Sequence, residues 1–196
     1  MSKLLQEQTF VLVKPDGVKR GLIGEIIDRI ERRGLKVIAI KMVTPTRQQA
    51  TDHYPAPDEW CRLVGEKTME SYLKYGKDPK ESLGTDDLVE IGKIINEFNM
   101  TYLTEGPVVC MIIQGLHAVD MVRKLVGKTF PSFADPGTIR GDYSVDSPNL
   151  ANDQKRSVRN LVHASGEIAE AQHEIGVWFT KDEIHTYRRS DEDVMF

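Results

Sequence analysis

The sequence predicts an α+β fold in which helices cover a four-stranded antiparallel sheet. Three observations carry that expectation. Four short stretches are dense in aliphatic and β-branched residues, as strands require. Between them, apolar residues recur at helical spacing. The resulting order, strand–helix–strand–(helices)–strand–helix–strand–helix, is that of the split βαβ or ferredoxin-like plan.

The first stretch, "TFVLVKPDG", is an apolar run closed by Pro15-Asp16-Gly17. It reads as a central strand entering a turn. In "GLIGEIIDRIERRG", Leu22, Ile23, Ile26, Ile27 and Ile30 share a helical face, and Gly34 is a natural stop. "LKVIAIKM" is the second strand, and "TRQQATDHY" reads as a short helix. From Pro55 to about Glu105 the composition turns charged, with scattered aromatics. Two extra helices are expected here. The second has Leu88, Ile91, Ile95 and Phe98 on one face and Thr85 as N-cap. Its apolar face must pack on its own subunit near the ligand cleft or on a neighbouring one.

"GPVVCMIIQG" is almost continuously apolar, so it reads as a strand covered on both faces. "LHAVDMVRKLVG" turns Val119, Val122, Leu125 and Val126 inward as a helix. The stretch from Thr129 to Arg156 is rich in Pro, Gly, Asp and Asn and reads as a long loop, a feature that is often functional. "SVRNLVHA" is the fourth strand and "SGEIAEAQHEIGVWF" the last substantial helix.

A chain of 196 residues suits one domain. We expect 1–196 to form a single domain with a helical insertion at 56–105. At this length, roughly 70% of the unfolded chain's surface can be buried without disulfides or metals. Hydrophobic residues make up 40% and charged residues 29%, as in ordinary soluble proteins. The net charge of −4 disfavours broad nucleic-acid binding but leaves room for a small anion held by local Arg and Lys. Cys61 and Cys110 have no metal-like spacing, and Cys110 reads as a buried thiol. "MSKLLQEQTF" lacks the apolar run of a signal peptide, and no stretch is long enough to span a membrane. The expectation is a reduced, cytoplasmic protein with no metal-ligand set.

The candidate chemistry converges on "RNLVHASGE". A lone histidine at a strand end is ordinarily a half-buried edge residue. His163 has company. Glu174 follows on the next helix, where it could hold one ring nitrogen and free the other. Ser165 stands near a helix start, which favours anions. Lys14 leaves the first strand, and Arg140 sits in "DPGTIRGD" between Gly137 and Gly141. Arg123, Thr129 and Asn160 complete a set suited to a polyphosphate, because guanidinium pairs with phosphate bidentately. A neutral imidazole can attack a γ-phosphoryl group directly, with little beyond positioning and charge neutralisation. His53, His117, His173 and His185 read as surface or structural residues.

These segments resemble nucleoside diphosphate kinases. "TFVLVKPDGVKRGLIGEII", "HY", "GPVV", "PGTIRGD", "RNLVHAS" and "EIGVWF" occur in that family's order, spanning 8–54 and 106–187. The resemblance implies ping-pong transfer of the γ-phosphoryl group from a nucleoside triphosphate such as ATP to a nucleoside diphosphate. His163 matches the histidine that is phosphorylated, Glu174 the carboxylate that orients it, and Ser165 the neighbouring hydroxyl. Lys14, Tyr54, Arg123, Thr129, Arg140 and Asn160 match residues that hold phosphates and ribose. Mg2+ is expected to arrive on the nucleotide. A homo-oligomer, tetramer or hexamer, is also implied, with no membrane or specific nucleic-acid partner. The chain departs from compact members by extra residues between Tyr54 and Gly106 and between Asp142 and Ser157. Trp60, in the first of these, is a candidate for stacking on the base. Gly166 stands where many members carry Asp.

Overall fold

The computed structural model describes residues 7–195, so the first part of "MSKLLQEQTF" lies outside the described residues. β1 runs Gln8–Val13 and is buried almost throughout. It leads not into a turn but into a short helix, α1, Pro15–Lys19. Pro15 stands at the first helical position, where its fixed φ suits the helix and its missing N–H costs nothing. α2, Ile23–Arg32, ends before Gly34, whose φ of +84° is open to glycine and strained for other residues. β2 spans Lys36–Val43 and α3 spans Arg47–His53. Thr46 and Gln49 close a reciprocal capping box at the start of α3.

The charged segment holds three helices: α4, Asp58–Lys74; α5, Pro79–Leu83; and α6, Leu88–Thr104. Two were expected; α5 is a short connector between the long pair. The N-cap of α6 is Asp87, not Thr85. The Asp87 carboxylate accepts the Glu90 N–H at 2.9 Å, and the Thr85 hydroxyl accepts the Asp87 N–H at 3.1 Å. β3, Val108–Gln114, and α7, Ala118–Val126, follow as expected. The stretch read as a loop is instead folded. It contains a 3₁₀ turn at Pro131–Phe133, α8 at Ile139–Tyr143 and α9 at Pro148–Asp153. β4 is only Val162–Ala164, shorter than the strand expected from Ser157. α10, Ile168–Trp178, a 3₁₀ turn at Lys181–Glu183 and α11, Glu192–Met195, complete the chain.

The sheet order is β2-β3-β1-β4, with every neighbouring pair antiparallel. This is the ferredoxin-like arrangement. β1 and β3 are central, which explains their unbroken hydrophobicity. Their alternate residues feed two cores. Val11, Val13, Val109, Met111 and Ile113 meet α2 and α7 on one face. Phe10, Leu12, Val108, Cys110 and Ile112 meet α3, α6 and α10 on the other. Burial pushes the Cys110 thiol up to about 12, as befits an inert core residue.

α4 and α6 pack backbone to backbone. A Cβ on Gly65 would lie 2.0 Å from the Leu88 carbonyl oxygen, and one on Gly92 2.0 Å from that of Cys61. The buried stripe of α6 is Ile91, Gly92, Asn96, Met100, Tyr102 and Leu103, while Leu88, Ile95 and Phe98 are half-buried. The pair packs on its own subunit. Asn152 in α9 donates to Ser71 in α4 at 3.3 Å, and Lys77 meets Asn149 and Asp153. The α4–α5 segment and α9 thus brace each other. Among the described residues, no helix is long and apolar enough to cross a membrane.

Candidate active site

Pairing of β4 with β1 sets His163 opposite Leu12. Both faces of β1 are buried, so this register is strongly specified; a one-residue slip would turn the imidazole to the other face. α10 then returns over β1 and brings Glu174 to the ring. His163 Nε2 lies 2.6 Å from Glu174 Oε1. The other carboxylate oxygen, Oε2, accepts the Ser165 hydroxyl at 2.5 Å. The Phe10 N–H donates to that hydroxyl oxygen at 3.3 Å. The Glu174 side chain is 1% exposed and that of His163 is 14% exposed. A carboxylate only accepts, so Nε2 carries the ring proton and Nδ1 keeps the lone pair. Ser165 is fully buried, so its hydroxyl holds Glu174 rather than facing the cleft.

The turn before β4 carries the cationic half of the site. Val162 N–H donates to the Asn160 carbonyl at 2.7 Å across Leu161, whose φ is +67°. Such a γ-turn at a branched residue is strained by roughly 1–3 kcal/mol and persists only where its surroundings impose it. Here they do. Lys14 N–H donates to the Leu161 carbonyl at 2.8 Å. Arg140 donates Nε to the Asn160 carbonyl at 3.2 Å and Nη2 to that of Val162 at 2.7 Å. Its Nη1 reaches the Gly127 carbonyl at 2.9 Å. Three of the guanidinium's five N–H groups are thereby engaged, leaving two for a ligand. Arg140 is not on a free loop, as expected, but within α8, which Thr138 caps.

Lys14 Nζ donates to Asn160 Oδ1 at 2.8 Å, and Asn160 Nδ2 donates to the Thr129 carbonyl at 3.0 Å. Lys14 and Arg140 are both buried, with Asn160 between them. Burial, reinforced by the Arg140 charge, lowers Lys14 to about 7. Burial likewise lowers Arg140 to about 10. Two neighbouring cations in a poorly solvated corner await negative charge.

Tyr54 closes α3, its ring centroid 6.0 Å from that of His163. Burial, with Glu174 nearby, pushes its hydroxyl well up, so it stays neutral. Arg123 and Thr129 are exposed at the rim. Arg123 Nη1 lies 3.1 Å from where a Gly166 Cβ would stand, and Glu170 Oε2 lies 2.8 Å from the same point. Glu170 also accepts the Gly166 N–H. A carboxylate absent at position 166 is thus present beside it. Trp60 is half-buried at the start of α4.

The structure therefore gathers Lys14, Tyr54, Arg123, Thr129, Arg140, Asn160, Ser165 and Glu174 around β4, leaves Trp60 in α4 with no contact to them, and adds others. His53 is the main correction to the histidine reading. It is 3% exposed, and its ring centroid is 4.6 Å from that of His163. Its Nδ1 accepts the Trp178 indole N–H at 3.3 Å and lies 3.4 Å from Glu174 Oε1. Burial, then the neighbouring His163, lowers its pKa well below the usual imidazole range. Asp16 and Tyr102 were also missed. The Tyr102 hydroxyl donates to Asp16 Oδ1 at 2.6 Å, and Lys14 Nζ stands 4.9 Å from the Tyr102 ring centroid. The Pro-Asp-Gly signal at Asp16 was legible only as a turn.

The sequence model of the family described as nucleoside diphosphate kinase matches residues 7–60 and 91–184. The nucleoside diphosphate kinase of Pyrobaculum aerophilum is 50% identical over 178 residues, covering 91% of this chain and 97% of that protein. That of Archaeoglobus fulgidus is 38% identical over 190 residues, covering 97% of each. The crystal structure of the P. aerophilum NDP kinase superposes with a TM-score of 0.91 at 48% identity, covering 92% of this chain and all of that one. A transition-state mimic of the Borrelia burgdorferi enzyme, with bound vanadate and ADP, gives 0.77 at 33% identity, covering 96% of each chain. The segment the family model skips, 61–90, holds most of α4, all of α5 and only the first residues of α6. On its sequence, its sheet and its site, the chain belongs to the nucleoside diphosphate kinase family.

Proposed function

We propose that His163 carries the phosphoryl group in this chain's nucleoside diphosphate kinase reaction. The Nδ1 lone pair attacks the γ-phosphorus of a nucleoside triphosphate. The Nδ1–P bond forms as the bond to the bridging oxygen breaks, and the nucleoside diphosphate leaves with that electron pair. The imidazole becomes cationic in this step, and Glu174, at 2.6 Å from Nε2, stabilises it while fixing its orientation. A second nucleoside diphosphate then takes the group by the reverse path.

Lys14, Arg123 and Arg140 neutralise the phosphates, with Thr129, Asn160 and Tyr54 as polar and aromatic contacts. This is catalysis by positioning and charge, as phosphoryl transfer requires. The transition-state mimic of the Borrelia burgdorferi enzyme, with bound vanadate and ADP, supports a nucleotide as the ligand class. The substrate is read as the magnesium complex. Among the described residues, the one group of three close metal-type ligands is His53, His163 and Glu174. That nitrogen-rich, buried set does not suit Mg2+, which prefers oxygen donors and its own waters. The fit favours an ion carried on the phosphates. A single domain over 1–196 with an inserted segment at 56–105, a tetrameric or hexameric assembly and a cytoplasmic location belong to the same reading.

The observation that carries it is the Ser165–Glu174–His163 chain, which leaves one ring nitrogen free at the end of a strand. Incubation with ATP labelled at the γ-phosphate should give an acid-labile, alkali-stable protein label that moves to GDP on addition. His163→Ala should abolish the label with the fold intact. Transfer in that variant at the wild-type rate would overturn the assignment.

A further inference from the structure

We propose that Asp16, acting with Tyr102, is a positioning residue of this reaction: it holds the turn that delivers Asn160 and His163, and it sets a carboxylate against the Lys14 ammonium. The inference rests on the reading of His163 as phosphoryl carrier. Asp16 touches no reacting atom; it works through the groups around it.

Its two oxygens divide the task. Asp16 Oδ2 accepts the Leu161 N–H at 3.2 Å, the amide at the centre of the strained turn. Oδ1 accepts the Gly17 N–H at 2.9 Å and the Tyr102 hydroxyl at 2.6 Å. The Tyr102 oxygen in turn accepts the Asn160 N–H at 3.3 Å. Two consecutive amides of the turn thus end, directly or through one hydroxyl, on a single carboxylate. Without it both would lose that anchor, and Leu161 could relax to negative φ. Relaxation would rotate the peptides flanking it, moving Asn160 away from Lys14 and shifting His163 off its line toward the phosphate. Gly17 belongs to the same device: a Cβ there would meet the Leu161 carbonyl oxygen at 2.8 Å.

The charges around Lys14 support the same role. Lys14 is faced by Arg140 from α8, by Arg159 ahead of β4, by the Tyr102 ring from α6 and by Asp16 from α1. The two arginines disfavour its proton, as does burial; Asp16 favours it. Lys14 also bears on neutral His53 across the site. Arg159 pairs with Glu105 and lies over the Tyr102 ring at 4.5 Å, so its own charge is partly satisfied elsewhere. Asp16 is the carboxylate among these neighbours that supports a phosphate-binding ammonium before the nucleotide arrives.

Asp16→Asn keeps the shape and removes the charge. The test compares single-turnover labelling of His163 and the pH profile of kcat/KM, which reports the free enzyme. The variant should label at least about 10-fold more slowly, and the alkaline limb of its profile should move down by about one pH unit. Tyr102→Phe keeps the ring over Lys14 and breaks the hydroxyl bridge. It should slow labelling by about 3- to 10-fold with nucleotide affinity within twofold. It is the decisive variant if Asp16→Asn does not fold. Wild-type labelling rates and an unmoved alkaline limb would overturn the proposal, as would a slowed Asp16→Asn with its limb unmoved, which a purely structural role would give. Absence of label on the wild-type protein would instead overturn the reading of His163 on which this rests.

Discussion

Around β4 the chain buries Lys14, Arg140, Asn160, Ser165, Glu174 and His53. Between α4 and α6 it buries Gly65, Gly92, Cys61 and Ile91. The first region places charges where water is scarce and satisfies them one by one. The second achieves contact by removing side chains until backbones touch. Its charges stay outside, as in the Lys93–Asp58 pair at 3.1 Å, with both side chains more than half exposed. Such pairs contribute little to stability. The difference teaches what each region is for. The helical pair is built from interactions that favour folding. The β4 corner accepts desolvated cations and a strained turn, arrangements that oppose folding and make sense only when a polyanion binds.

The largest test of this contrast is Lys14→Met. Lys14 has its proton affinity lowered on folding to about 7, so the unfolded chain binds more protons between about 7 and 10.5. Wild-type stability therefore rises with pH through that window, and the penalty for burying the charge is complete below it. The variant should be more stable than wild type at pH 6 by ~2–4 kcal/mol, and by much less at pH 10. Urea unfolding at both pH values checks this. An equal difference at the two would mean the charge is not what opposes folding.

Gly65→Ala probes the other region. The new methyl would press on the Leu88 backbone, so stability should fall by about 1–3 kcal/mol. Single-turnover labelling of His163 should stay within twofold of wild type. A large loss of labelling would show that the helical pair supports the site more closely than its packing suggests. An effect of similar size, on rate rather than stability, is expected of Glu174→Gln, which leaves the fold in place and loosens the imidazole. Transfer should slow by about 10- to 100-fold, on the order of 1.4–2.7 kcal/mol. A rate within twofold of wild type would refute the orienting role.

Much of the fold was legible because long periodic segments announce themselves. The continuous apolar runs of β1 and β3 and the striped face of α2 admit few other placements. α1, α8 and α9 were not legible. Each is one or two turns long, too short for periodicity, and each depends on a start signal such as Pro15, Thr138 or Ser147. β4 was overestimated because Asn160-Leu161-Val162 reads as strand by composition. The positive φ of Leu161 is imposed by Lys14, Arg140 and Asp16, all distant in sequence.

The site divides in the same way. His163, Glu174 and the Lys and Arg residues stood out because their chemistry suits phosphate, and the family resemblance then placed them. His53, in a polar helix, gave no signal of burial. Trp178 and Phe10 bury it, from 125 and 43 positions away in sequence. Tyr102 looked like one more aromatic in a divergent stretch until α6 laid it against Asp16.

The sequence by itself determined the order of the four strands and of the long helices between them, and it put forward His163, with nearby Lys and Arg residues, as a group suited to phosphate. These follow from composition and local spacing, which a single chain carries in plain form. Only the tertiary structure decided which ring nitrogen is free, how far Lys14 and Arg140 are stripped of water, and which carboxylate steadies the turn before His163. Those properties depend on burial and on hydrogen bonds between separate elements, some joining residues more than a hundred positions apart, and neither exists until the sheet closes.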